Sequence, residues 1–186
     1  INGKKAGTLG LCGSFSFYPT KVINTAEGGM ITTDDNTIYE QSLIFREHGK
    51  KDHNFNIHTE LGYNWRFSEL HALLGLQQMK IAIDLILKRQ EIAKIYDAQL
   101  NQLHGITLVE IPNNTECSYY KYIAYLDKKY NRDEIKSQLK KEYNISLPGE
   151  VYAECCHKQP VFQKYPNLVL NDSGDEFPGA EYVSKH

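Results

Sequence analysis

Residues 12–18 alternate strictly: Cys12, Ser14, Ser16 and Tyr18 face one way, Gly13, Phe15 and Phe17 the other. A period of two over that length predicts a short strand with one apolar face. Pro19 ends the strand, because proline has no N–H to give to a ladder. Residues 29–33 predict a second strand, so Lys21 stands in the connection between two strands, one step past a stiff strand end. The Ser16 hydroxyl lies just behind it. Two readings are open at that position. A partly desolvated lysine amine loses its proton more easily and can attack a carbonyl, whereas most lysines are simply solvated. Gly28-Gly29 likewise either allows a close approach of backbone to a ligand or makes an ordinary strand-entry turn.

Asp34-Asp35-Asn36 offers N-cap oxygens for a helix over 37–46, with Ile38, Leu43, Ile44 and Phe45 partly inward. From Glu47 to Glu60 the chain is polar and aperiodic. His48, His53 and His58 recur every five residues, which fits neither one helix face nor zinc-ligand spacing, so this stretch reads as a solvated loop. Asn64 and Arg66 then set an amide and a guanidinium two residues apart, a pair suited to anionic oxygens; a turn followed by a surface arginine is the alternative. Ser68 caps an apolar-periodic run from 68 to about 102, read as a helix pair or one kinked helix whose stripe is core or subunit interface. Gly105 stops it. Strands are expected over 106–109 and 119–126, a helix from Asn131 to about Glu142, and Ile145-Ser146-Leu147 continues an α+β pattern.

The chain's 186 residues suffice for one domain or one and a half small ones. An apolar content of 41% with 24% charged residues is ordinary globular composition. A net charge of −2 without a basic run argues against a nucleic-acid partner. No apolar stretch reaches bilayer length, and no signal-peptide pattern opens the chain, so no membrane partner is expected. Four cysteines without framework spacing suit a reducing, cytoplasmic setting. Cys155-Cys156-His157 does not make a metal site, since adjacent cysteines poorly share one tetrahedral zinc and no second pair follows at a suitable spacing. No metal is expected.

Ser14-Phe15-Ser16-Phe17-Tyr18-Pro19-Thr20-Lys21 is followed in order by Ala26-Glu27-Gly28-Gly29-Met30-Ile31-Thr32-Thr33 and by Arg46-Glu47-His48-Gly49. Leu61-Gly62-Tyr63-Asn64-Trp65-Arg66-Phe67-Ser68-Glu69-Leu70-His71-Ala72 completes the series. Together these blocks resemble the DegT/DnrJ/EryC1/StrS aminotransferases, specifically over residues 1 to about 105 and more loosely to the end. The resemblance implies an α/β fold, a fragment of a fold type I transferase dependent on pyridoxal 5'-phosphate (PLP). Residues 1–102 would be the rear of the large domain, with the Schiff-base lysine and the long helix. Residues 103–186 would be a truncated small α+β C-terminal domain.

By the same resemblance, Lys21 is the catalytic, cofactor-bearing lysine, Ser16 bonds the cofactor phosphate, and Asn64 reaches that phosphate in the other subunit of a homodimer with shared sites. The loop over 47–60 would lie near the neighbouring subunit's site. Arg66, with Tyr63 and Trp65, would face the substrate. His157 would stand at the edge of the sugar-nucleotide pocket, although Cys156 occupies a position where the family usually has proline. The implied reaction moves an amino group, with glutamate as donor, to a nucleotide-linked keto-sugar for surface polysaccharide or sugar-antibiotic assembly. A dehydrating branch carries histidine where this chain has Lys21, so Lys21 favours transamination. The family's ring-binding segment lies upstream of Ile1. The chain is therefore expected to be about half a protein, cut at both ends and inactive alone. A non-catalytic dimerisation or interaction domain, or a cofactor-binding sensor, is the competing reading.

Overall fold

In the computed structural model, residues 1–147, 154–168 and 177–185 are described. The alternating segment forms β1 (Cys12–Ser16), which pairs antiparallel with β2 (Gly29–Thr33) in the register Cys12 to Thr33 and Ser16 to Gly29. Both strands match the expected positions, although β1 stops at Ser16. Beyond it the backbone leaves the ladder in two steps. Phe17 N–H still reaches the Gly28 carbonyl at 2.9 Å, and Lys21 N–H closes a turn on the Tyr18 carbonyl at 2.9 Å.

Helix α1 (Asn36–Arg46) is capped by Asp35, whose Oδ1 accepts the Ile38 N–H at 3.0 Å. It buries Ile44, while Phe45 remains exposed. The long apolar run is a helix pair: α2 (Glu69–Lys80), capped by Ser68, and α3 (Ala82–Leu100), bent by 57°. Neither proline nor glycine stands at the break. The bend arises because Ile81 N–H turns back to the Gln78 and Met79 carbonyls, ending α2 before α3 begins. No single helix among the described residues is long and apolar enough to cross a membrane.

Two short strands, β3 (Ile106–Leu108) and β4 (Ala124–Leu126), pair antiparallel. Helix α4 (Arg132–Tyr143) is capped by Asn131 and ends at Asn144 in the left-handed conformation. Short helices α5 (Pro160–Lys164) and α6 (Pro178–Lys185) follow. Two expectations are corrected here. Only Ala124–Leu126 of the aromatic run at 119–126 is strand, because Tyr119 takes φ +47° and breaks the extended backbone. Ile145–Leu147 form no strand, the chain having just turned through Asn144.

The chain divides into two units, one of Ile1–Asp97 with Glu110–Tyr122 and one of Ala98–Val109 with Ile123–His186. Cores are small. The buried apolar residues among those described are Ile44, Ala82, Ala93 and Cys155. Helix α2 buries no side chain, and Leu70 on it is 80% exposed.

Candidate functional site

Lys21 is half-buried in the turn after β1. The Ser16 hydroxyl, at the strand's last residue, accepts the Tyr18 N–H at 3.4 Å, and Thr25 N–H bonds the Phe17 carbonyl at 2.9 Å. The loop is thus tied at both shoulders. Gly28 takes φ +140°, and a Cβ there would overlap the Phe67 ring, so the return into β2 needs glycine.

Above the Lys21 turn lies a side chain that sequence periodicity does not bring there. Tyr120 places its ring centroid 4.3 Å from Lys21 Nζ, and its hydroxyl shares a hydrogen bond of 3.0 Å with Thr20 Oγ1. The Thr20 bond chiefly, then a Lys21 hydrogen bond and the Lys21 and Lys121 charges, hold the Tyr120 phenol below its ordinary value against the opposing effect of burial. The only hint in the sequence is the aromatic richness of residues 119–125, which does not say which ring meets Lys21.

Asn64 and Arg66 are positioned by the end of α1. Tyr63 N–H bonds the Phe45 carbonyl at 2.7 Å, His48 N–H the Tyr63 carbonyl at 2.8 Å, and Trp65 N–H the Arg46 carbonyl at 3.1 Å. Glu47 and Asn64 face each other across an antiparallel bridge. Tyr63 and Trp65 stack at 4.1 Å on one side of this extended segment. Arg66 Nη1 donates to Glu47 Oε1 at 2.5 Å. Burial works to raise the Glu47 carboxyl, but the Arg66 bond and charge, with His48 and Lys50, outweigh it and hold the group below its ordinary range. Asn64 is exposed, and among the described residues no hydrogen bond joins its side chain to Ser16 or Lys21.

His58 Nδ1 meets the His48 carbonyl at 2.7 Å, a contact within the loop. Among the described residues no three metal-ligating side chains converge, and all four cysteines are free. His157 belongs to the second unit, in a short turn at Cys156–Lys158. Its ring stacks on Phe177 at 4.5 Å, and its Nε2 lies 3.3 Å from Glu181 Oε1. Glu181 also pairs with Lys158 at 2.7 Å, and these two contacts, Lys158 first, hold its carboxyl low. Tyr152 and Ala153 of the expected pocket-edge segment lie outside the described residues.

An open groove of about 740 Å³ runs beside the hairpin, lined by Phe15, Met30, Leu43, Phe45, Trp65 and Phe67 among others. It is apolar, and Lys21, Ser16 and Asn64 lie outside its lining. The chemically useful groups around this turn are the Lys21 amine and the hydroxyls of Ser16 and Thr20. An amine can bond an aldehyde, and hydroxyls can donate to a phosphate, so this donor set fits PLP.

The UDP-4-amino-4,6-dideoxy-N-acetyl-beta-L-altrosamine transaminase of Helicobacter pylori is 30% identical over 180 residues, which cover 96% of this chain and 48% of that protein. Among solved structures, a DegT DnrJ EryC1 StrS aminotransferase from Brucella abortus superposes with a TM-score of 0.84 at 24% identity, covering 99% of this chain and 46% of that one. The E. coli GDP-4-keto-6-deoxy-D-mannose-3-dehydratase, solved with bound hydrated PLP, gives 0.78 at 25% identity and covers 100% of this chain and 51% of its own. The chain spans about half the length of the curated relatives it matches. A family model for the DegT/DnrJ/EryC1/StrS aminotransferase family matches residues 1–185, and with the α/β fold shared with fold type I PLP enzymes, this places the chain in that family.

Proposed function

We propose that the protein carrying this chain is a PLP-dependent aminotransferase that moves an amino group, with glutamate as donor, to a keto-sugar linked to a nucleotide. The observation that carries this reading is a half-buried lysine on a tied turn directly after β1, five residues past a strand-end serine hydroxyl. When bound, PLP supplies an aldehyde that bonds amines and an electron sink that eases loss of a proton from the adjacent carbon. Lys21 holds the cofactor through its amine. Freed by the incoming amine, its Nζ would act as the base that takes the proton from the donor's amine-bearing carbon and delivers it to the carbon that had been the cofactor's aldehyde, so that the proton changes carbons. Ser16 Oγ donates to a phosphate oxygen. The short turn keeps that donor and the Lys21 amine at a fixed separation, which orients the reacting carbon toward Nζ.

Asn64 donates to the phosphate of the partner's site in a homodimer. Its exposure, and its lack of a hydrogen bond to Ser16 or Lys21 in its own chain, support that assignment. Arg66, fixed by Glu47 yet half-exposed, keeps further N–H donors for an anionic substrate group. His157, with its Nε2 3.3 Å from Glu181 Oε1, keeps its other ring nitrogen for a substrate group. We place the protein in the cytoplasm, in assembly of surface polysaccharide or antibiotic sugars. The 186 residues alone, about half the length of the relatives they match, are expected not to turn over.

The test is Lys21→Arg in the complete protein, assayed with glutamate and a nucleotide-linked keto-sugar. Activity should fall at least about 10²-fold, the scale of a lost general base, with the fold unchanged by circular dichroism. Unchanged turnover would return Lys21 to the role of a surface residue and favour a non-catalytic interaction domain. Intact PLP binding without turnover in the wild type would favour a sensor.

A further inference from the structure

The segment that brings Tyr120 over Lys21 is held in place by α3. Arg89 Nη1 donates to the carbonyls of Tyr119 at 3.1 Å and Tyr120 at 3.4 Å, and Gln90 Nε2 to that of Cys117 at 3.0 Å. Two residues on, the Tyr122 hydroxyl donates to Asp97 Oδ1 at 2.6 Å. The backbone pays for this path with a left-handed Tyr119 at φ +47°. What it achieves is one ring laid against one amine: Tyr120 meets Lys21 through its face and Thr20, the residue before Lys21, through its hydroxyl. Lys121 lies over the same ring at the longer distance of 5.7 Å.

We propose that Tyr120 is a positioning residue for Lys21: the ring face seats the amine, and the hydroxyl bond to Thr20 keys the ring to the turn. The proposal rests on the reading of Lys21 as the cofactor-bearing lysine. A lysine side chain has many rotamers, and a seat on a fixed ring removes most of them before the cofactor arrives. An aromatic face suits this because it attracts a cation at close range, and the phenol oxygen at its edge also meets the Lys21 amine.

The experiment has two readouts on the same proteins. Reductive methylation with ¹³C-formaldehyde gives each lysine an NMR signal that moves upfield when held over an aromatic ring. The Lys21 signal, assigned by its loss in Lys21→Arg, should be displaced in the wild type and in Tyr120→Phe, and should join the other lysines in Tyr120→Leu. Separately, unmethylated protein is mixed with subsaturating PLP, reduced with borohydride and mapped by mass spectrometry. The fraction labelled at Lys21 should fall about two- to fivefold in Tyr120→Leu, the size of an exposed cation–π contact, and return in Tyr120→Phe. An undisplaced Lys21 signal in the wild type overturns the proposal, whatever the leucine variant does. Selective Lys21 labelling that Tyr120→Leu leaves unchanged overturns it too, while the Lys21 reading stands. Label scattered over many lysines in the wild type overturns both.

Discussion

Removing one oxygen, in Tyr122→Phe, tests the clamp between the 117–122 segment and α3. The Tyr122 hydroxyl donates to Asp97 Oδ1 at 2.6 Å, and the Tyr96 ring packs against its ring edge-on at 5.0 Å. Phenylalanine keeps the ring contact and loses only the hydrogen bond. Burial first, then the Asp97 bond and charge, push the phenol from 10 up to about 12. At ~1.4 kcal/mol per pH unit that rise corresponds to about 2.7 kcal/mol for a fully enclosed pair. Tyr122 is only half-buried, so solvent screening leaves about 1–2 kcal/mol, the scale of a hydrogen bond to a charged group. The sign follows from proton binding. Between pH 10 and 12 the folded phenol keeps its proton and the unfolded one has lost it, so stability falls as pH rises. The contribution is fully present below pH 10 and gone above about 12. Urea unfolding followed by circular dichroism at pH 7, 9.5 and 11 measures it. Groups remote from Tyr122 cancel in the wild-type-minus-variant difference, and Tyr119, which feels the same Asp97 charge, is removed by measuring the pair on a Tyr119→Phe background. A difference under about 0.3 kcal/mol at pH 7, or one that fails to shrink by pH 11, refutes the reasoning.

Three further changes probe the scaffold. Glu47 is held low by Arg66, so its contribution is present above the ordinary 4.5 and lost as pH falls through its lower folded value. The sole tryptophan, Trp65, should report this opening by an emission shift on acidification, and Glu47→Gln should show the shifted emission already at pH 7. Asn131 Oδ1 accepts the N–H groups of Asp133 and Glu134, so Asn131→Ala should cost about 1 kcal/mol in urea unfolding and Asn131→Gly only a few tenths. A Cβ at Gly62 would overlap the Gly49 amide nitrogen. Gly62→Ala should therefore part the two backbones, cost about 1–3 kcal/mol, and loosen hydrogen-exchange protection at His48 and Gly49.

Local rules made most of the first unit legible. Alternation located β1, Asp34-Asp35-Asn36 and Ser68 marked two helix starts, and the stripe at 68–102 announced a helix pair or one kinked helix. The place of the break was not legible, because Lys80-Ile81-Ala82 contains no breaker; it comes from how one N–H is shared between two carbonyls. Nor did apolar periodicity say what α2 would bury. The stripe looked like core or interface, yet among the described residues Leu70, Leu73, Leu76 and Met79 stay more than half exposed. A hydrophobic stripe states a demand for a partner surface, and the described residues do not meet it.

The site shows the same division more sharply. The placement of Lys21 close behind Ser16 was readable because Lys21 stands only five residues past it. Asn64 and Arg66 needed the chain to come back along the end of α1, and the sequence showed their chemistry without Glu47 as the partner that orients Arg66. Tyr120 is 99 residues from Lys21, and no periodicity reaches that far. Its absence from the sequence reading and the strand wrongly expected over 119–126 have a single cause. A strand would have given the carbonyls of Tyr119 and Tyr120 to a ladder. Arg89 takes them instead, and the left-handed turn at Tyr119 lets Arg89 do so. The residues that break the expected strand are the ones that carry a ring to the lysine, so restoring extended backbone there should remove the contact. Tyr119→Val disfavours φ > 0 because of its branched Cβ. It should return the Lys21 methyl signal toward those of the other lysines although Tyr120 itself is untouched, and a signal that stays displaced would show that the ring reaches Lys21 without the Tyr119 turn.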